Sequence, residues 1–92
     1  MNTQKLEQVP IDKLVPYARN ARTHSKEQIA QLRASLREFG FVSPAVIDAD
    51  YNILVGHGRI MAAREEGYET VPCVSAQHLT EAQKRAYILA DN

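Results

Sequence analysis

The stretch ILVGHGRIMAAREEG, residues 53–67, leaves this chain few ways to fold. Ile53 to Val55 read as a strand, and only Gly56, His57 and Gly58 separate it from a helical pattern running from about Arg59 to Glu66 and closing on Gly67. The helix should bury Ile60, Ala63 and Met61. The same alternation of strand and helix runs through the rest of the sequence. LEQVPIDKLVPY reads as a strand around Val9 and Ile11, followed by a helical turn that stops before Pro16. Arg19, Asn20, Arg22, Thr23 and His24 then form a polar loop.

Ser25 to Phe39 is the clearest helix, with Ser25 and Gln28 as a capping box, Ile29, Leu32, Leu36 and Phe39 as its buried stripe, and Gly40 as its stop. Ala45 to Ile47 and Ile53 to Val55 read as two short strands joined by a turn built from Asp48, Asp50 and Asn52. Val71 and Val74 mark another strand. Thr80 and Gln83 form a second capping box, opening a helix through Ala82, Ala86, Ile88 and Leu89 that ends without a C-cap, so a further C-terminal region is expected. The pattern predicts a small single α+β domain over residues 1–92, a mixed β-sheet with packed helices.

Ninety-two residues suffice for one modest core. Eleven Lys and Arg balance eleven Asp and Glu, so no strong overall field draws the chain to nucleic acid or an anionic membrane. The balance is uneven, however: residues 1–40 carry seven bases against four acids and residues 41–92 four against seven. The single cysteine, Cys73, excludes an internal disulfide and fits a small core residue. With no secretory leader pattern and no apolar run near the roughly 20 residues that span a bilayer, a cytoplasmic location is expected.

The turn Gly56-His57-Gly58-Arg59 carries the chemistry. Glycines let backbone approach an anion closely, and the N–H groups and dipole at a helix start favour negative charge. A cation in the first turn opposes that dipole, so Arg59 makes most sense with an anion beside it. The plainer alternative is that both glycines turn the chain and Arg59 is solvated. The flanking glycines are expected to leave His57 exposed and able to contact a ligand. His24 and His78 are expected to be solvated, Tyr17, Tyr68 and Tyr87 to pack, and Glu65 and Glu66 to be solvated at a helix end.

LVPYARNAR, GFVSPAVID, ILVGHGRIMAA and RAYILADN, in that order, resemble the boxes of the ParB N-terminal domain family, whose fold is shared with sulfiredoxin. The likeness runs from about Val9 to Asn92. It implies a ParB/sulfiredoxin-like fold and a nucleotide site for CTP or ATP with Mg2+. In the family the third box usually reads Gly-Glu-Arg-Arg-x-x-Ala and binds a nucleotide's triphosphate, CTP in the partition proteins. Gly56, Arg59 and Ala62 match it, while His57 and Gly58 replace the Glu and Arg. Arg22 stands where the Asn-Pro-x-Gln-Pro-Arg box ends, without the prolines before it. Ser43 and Pro44 resemble the Gln-Pro of a strand near the base, with Ser43 for Gln. Asp91 and Asn92 resemble a Glu-Asn that contacts phosphate and metal. The implied phosphate and nucleotide contacts are therefore Arg22, Ser43, Pro44, Gly56, His57, Gly58, Arg59, Asp91 and Asn92.

By the same likeness, sulfiredoxins place a nucleophilic cysteine where this chain has His57, so that chemistry lacks its nucleophile. Kinases of the fold add a carboxylate base, for which Glu7 and Asp12 are equal candidates. The leading expectation is a nucleotide-binding module of a DNA-associated protein, in chromosome or plasmid partition, with slow hydrolysis and homodimerisation left open. DNA contacts would come from outside these residues. A ParB-like metal-dependent nuclease using Asp48, Asp50 and Asp91 is the first alternative, and an interaction module fused to a DNA methyltransferase the second.

Overall fold

The computed structural model describes residues 6–17 and 24–91, and of Asp91 the backbone only. Strand β1 (Leu6–Pro10) gives way to a single 3-10 turn at Ile11–Lys13, followed by the two-residue strand β2 (Val15–Pro16). Ile11 therefore belongs to the turn rather than the strand. Pro10 ends the ladder because it has no N–H to donate, and Leu14 N–H closes the turn on Ile11 O at 3.2 Å. β2 was not evident in the sequence. Its pairing with a distant strand makes it extended, and Pro16 is tolerated because β2 is a sheet edge.

Helix α1 spans Lys26–Phe39. Gln28 N–H donates to Ser25 Oγ at 3.1 Å and Ser25 N–H to Gln28 Oε1 at 3.0 Å, which is the expected capping box. Strands β3 (Ala45–Ile47) and β4 (Asn52–Val55) form the expected antiparallel pair. Helix α2 spans His57–Glu65, starting two residues earlier than the sequence pattern suggests, because Gly56 already serves as its N-cap. Strand β5 (Thr70–Ser75) and helix α3 (Glu81–Asp91) complete the chain. At the start of α3, Gln83 N–H donates to Thr80 Oγ1 and Thr80 N–H to Gln83 Oε1, the second box.

The sheet order is β1-β5-β3-β4-β2, with β1·β5 and β3·β4 antiparallel and β3·β5 and β2·β4 parallel, so the sheet is mixed as predicted. Adjacent residues of β4 go to opposite faces. Ile53 joins the larger core with Ile29 and Leu36 of α1, Ile60 and Ala63 of α2, and Val71 and Cys73 of β5. Leu54 joins Tyr17, Ala76 and Ile88 beneath α3. Helices α1 and α2 thus cover one face and α3 the other. Two expected core residues are outside it. Met61 is 39% exposed, since Ala62 and Ala63 take the buried positions, and Phe39, the last residue of α1, is 67% exposed at the mouth of a surface cleft. Tyr87 is also exposed, whereas Tyr17 is buried and Tyr68 packs against Phe41 at a 6.3 Å ring separation.

Candidate functional site

The start of α2 opens at Gly56 on backbone that only glycine fits. Gly56 sits at φ +100°, and a Cβ there would lie 2.9 Å from Arg59 Nη2 and 3.2 Å from Ala45 Cα. Left-handed backbone and the close pass over β3 both exclude a side chain. Gly56 has no side chain with which to cap this helix start, and among the described residues no side-chain cap hydrogen bond forms there. Two residues on, a Cβ on Gly58 would meet the His24 ring and Leu32 Cδ1 at 2.9 Å. The second glycine therefore serves close packing against the start of α1 rather than the turn itself.

Arg59 lies half-buried. Its Nε donates to Ser43 O at 3.1 Å and its Nη2 to Pro44 O at 3.2 Å, tying the segment before β3 to the first turn of α2. The plainer alternative of a solvated guanidinium gives way to this clamp, which sets part of the charge against two carbonyls. Ser43, Pro44, Gly56 and Arg59, chosen from separate boxes of the sequence, thereby come together. Beside them a cleft of about 370 Å³ is walled by Leu32, Leu36, Phe39, Phe41, Val42 and Arg59. Arg22 and Asn92 lie outside the described residues, as does the side chain of Asp91.

His57 departs from expectation. It is the first residue of α2, and both its ring nitrogens are buried without a hydrogen-bond partner among the described residues. The glycines beside it do not expose it, because α2 begins at His57 and lays its ring into the molecule. Burial, then His24 and Arg64, hold its pKa below the ordinary imidazole value. His24, read from the sequence as a solvated loop residue, lies half-buried against Gly58 with its Nδ1 likewise buried and unpartnered. One cue bore on its position: the capping box at Ser25 and Gln28 places His24 directly before the cap of α1, while its contact with Gly58 depends on how α1 packs on α2.

Other nominated groups are used for structure. Asp48 is 2% exposed, and its Oδ1 accepts from Asp50 N–H and Asn52 N–H, its Oδ2 from Asn52 Nδ2 and Lys84 Nζ, all at 2.9–3.0 Å. Lys84 also reaches Glu81 Oε2 at 2.9 Å, and Tyr17 Oη donates to Glu81 Oε1 at 2.7 Å. Glu65 and Glu66 are not merely solvated. Glu66 Oε2 accepts from Arg33 Nε and Arg37 Nη1 at 2.6 Å each, and Glu65 Oε1 from Arg33 Nη1 at 3.0 Å, joining α2 to α1. Asp50, Glu7 and Asp12 are exposed. Cys73 is fully buried, and burial pushes its thiol pKa to about 11, well away from nucleophilic use. Among the described residues no helix is long and apolar enough to cross a membrane.

The family model of the ParB N-terminal domain matches residues 1–92. The chain belongs to the ParB N-terminal domain family. This ParB-type domain is 47% identical over 76 residues to the ParB-like nuclease domain-containing protein YnaK of Escherichia coli (strain K12), covering 83% of this chain and 87% of that one. Among solved structures it is similar to the C-terminally truncated chromosome-partitioning protein ParB of Caulobacter crescentus complexed with CTP-gamma-S, with TM-score 0.86 and 26% identity over 96% of this chain. It spans about half (52%) of that chain. The same Caulobacter protein complexed to the centromeric parS site matches with TM-score 0.71 and 25% identity, over 85% of this chain and 42% of that one. Sulfiredoxin of Arabidopsis thaliana, 18% identical with TM-score 0.69 over 92% of this chain and 97% of its own, shares the fold.

Proposed function

We propose that this ParB-type domain binds the triphosphate of a nucleotide, CTP or a related one, at the first turn of α2, as a module of a DNA-associated protein. The observation that carries the reading is the Arg59 clamp, which brings the Ser43–Pro44 segment onto the glycine-opened start of α2. A helix start without a side-chain cap offers N–H donors and dipole to an anion, and Gly56 keeps the approach clear. The CTP-gamma-S complex of the similar Caulobacter protein supports the same assignment. His57 and Gly58, in place of the family's Glu and Arg, remove one cation from the box and leave Arg59 as its guanidinium.

Among the described residues no group of three or more His, Cys, Asp or Glu could hold a metal ion. Mg2+ would on this reading arrive on the nucleotide's own phosphates, with Asp91 and Asn92 the residues offered to it by likeness. Calorimetry with CTP, ATP and GTP, each with and without Mg2+, tests the proposal and ranks the bases. Arg59→Ala should weaken binding about ten- to a hundredfold, the loss of a charge-assisted contact of roughly 1.5–3 kcal/mol. Because the same side chain holds two carbonyls, Arg59→Lys is the sharper variant: it keeps the charge without the planar fork and should recover only part of the affinity. Absence of binding by the parent to all three nucleotides, or full affinity in Arg59→Ala, would sink the proposal.

The name of the 47%-identical relative carries a second reading, a metal-dependent nuclease. Of its nominated acids Asp48 has all its described acceptor positions engaged, which leaves Asp50 and Asp91. Metal-dependent nicking of plasmid DNA that vanishes in Asp91→Ala would favour it.

A further inference from the structure

Native interiors rarely leave a buried polar atom without a partner unless a ligand, ion or water meets it. Among the described residues three such atoms occur, on two rings close enough to feel each other's charge: Nδ1 and Nε2 of His57 and Nδ1 of His24. A neutral imidazole keeps one N–H donor and one acceptor in either tautomer, so whichever nitrogen carries the proton, His57 buries an N–H that no described residue answers. The two rings share one place in the fold. His57 opens α2, and His24 directly precedes Ser25, the cap of α1, with its ring against Gly58. Only glycine at position 58 lets His24 come so close.

The charged groups around the pair are mostly cationic. Arg64, on α2, and His24, from the start of α1 and when it is protonated, oppose a proton on His57. Lys26, Arg33 and Glu65 share a cleft of about 420 Å³ with His24, and Arg33 is already paired with Glu65 and Glu66. Arg59 is turned to the carbonyls of Ser43 and Pro44. A buried N–H without an acceptor among the described residues, beside cations and at a helix start, is complementary to an anion.

We propose that His24 and His57 together receive a phosphate group of the bound nucleotide, each donating an N–H to its oxygens, and that the pair takes up a proton from solvent as the phosphate enters. This rests on the reading of α2's first turn as the phosphate site and adds His24 to that site. Without ligand, burial and the neighbouring cations hold His57 neutral. Phosphate oxygens reverse that balance, because an imidazolium donates from both nitrogens to a negative acceptor. Proton uptake makes the affinity rise as pH falls, up to about tenfold per pH unit while a whole proton is taken up. The window begins at the depressed ligand-free pKa, below 6.5, and extends to the higher value in the complex. The terminal phosphate has the opposite trend, gaining charge as pH rises past about 6, so the sign of the pH dependence identifies the imidazoles.

The test is calorimetry of the 92-residue chain with CTP and with inorganic tripolyphosphate, in buffers of different ionisation enthalpy at about pH 7, beside NMR titration of the three histidine rings with and without ligand. The expected results are uptake of a large fraction of a proton per ligand, an upward move of the His57 and His24 titrations, and an unmoved signal from exposed His78. His24→Gln and His57→Gln should each reduce the uptake and flatten the pH dependence. The parent's NMR titration decides the matter even if either variant fails to fold. Binding without proton exchange, with the His57 and His24 signals unmoved, overturns this proposal and leaves the phosphate reading of α2 standing. No heat and no shifted resonance with either ligand between about pH 6 and 8 overturns both.

Discussion

Two glycines two positions apart have different physical duties, and substitution should separate them. Gly56→Ala forces a side chain into left-handed backbone and onto the Cα of Ala45, and should cost about 2–4 kcal/mol in urea unfolding. Gly58→Ala gains about 1 kcal/mol of helix propensity and displaces only the side-chain ends of His24 and Leu32, so stability should change by less than about 1 kcal/mol. Its effect should instead fall on ligand affinity and on the His24 resonance. A Gly58→Ala protein as unstable as Gly56→Ala would show that the packing at His24 cannot yield. The sequence alone marked both glycines as part of one phosphate turn. What separates them is Leu32 and His24, which reach position 58 through the packing of α1 on α2, a contact no local pattern encodes. The capping pairs Ser25 with Gln28 and Thr80 with Gln83 were legible for the converse reason: each is complete within four residues.

At the scale of elements, two charged joints hold helices in place, and acid should loosen both. Burial alone would raise the Asp48 pKa, but hydrogen bonds from Asn52, Lys84 and Asp50 outweigh it and hold the carboxyl below its ordinary value. Its partner Lys84 is raised, chiefly by Glu81 and Asp48. A depressed carboxylate contributes stability above its unfolded pKa, about 3.9, and that contribution is lost as pH falls through the folded value; the lysine's persists until alkali beyond the ordinary lysine range. Hydrogen bonding to Arg33, with help from Arg37, likewise depresses Glu66 against the opposing effect of burial. Asp48→Asn should destabilise by about 3 kcal/mol or more, because it leaves Lys84 and Asn52 donors facing an amide. It should also flatten the loss of melting temperature in acid below about pH 4. An Asp48→Asn protein as stable and as acid-sensitive as the parent would remove the joint from the account. The acids at 48, 65 and 66 were visible in the sequence, but their partners lie some thirty residues away, so they read as solvated or as candidate metal ligands. β2 escaped notice likewise, since only Asn52 and Ile53 across the sheet make Val15 and Pro16 a strand.

For the molecule as a whole, eleven cations offset eleven anions, so there is little counterion release to drive contact with a duplex. Duplex binding by these residues should be weak with a shallow salt dependence, and tight binding that steepens with falling salt would place the DNA contact inside this domain rather than outside it. Alternation of strand and helix sufficed to predict a mixed sheet with packed helices. The order of the strands was not legible, because it depends on which distant segments meet. That order has a kinetic consequence. The first strand pairs with the last, Leu6 opposite Val74 and Pro10 opposite Thr70, so the chain must close a loop over most of its length before β1 finds its place. Between them α1, β3, β4 and α2 follow one another with short separations and can condense early, whereas a ribosome must deliver residue 75 before the sheet gains its outer edge. β1 should therefore be the last strand to acquire amide protection during refolding. Joining the ends of the chain by circular permutation, with new termini in the turn between β3 and β4, should speed its docking while slowing that of the central pair.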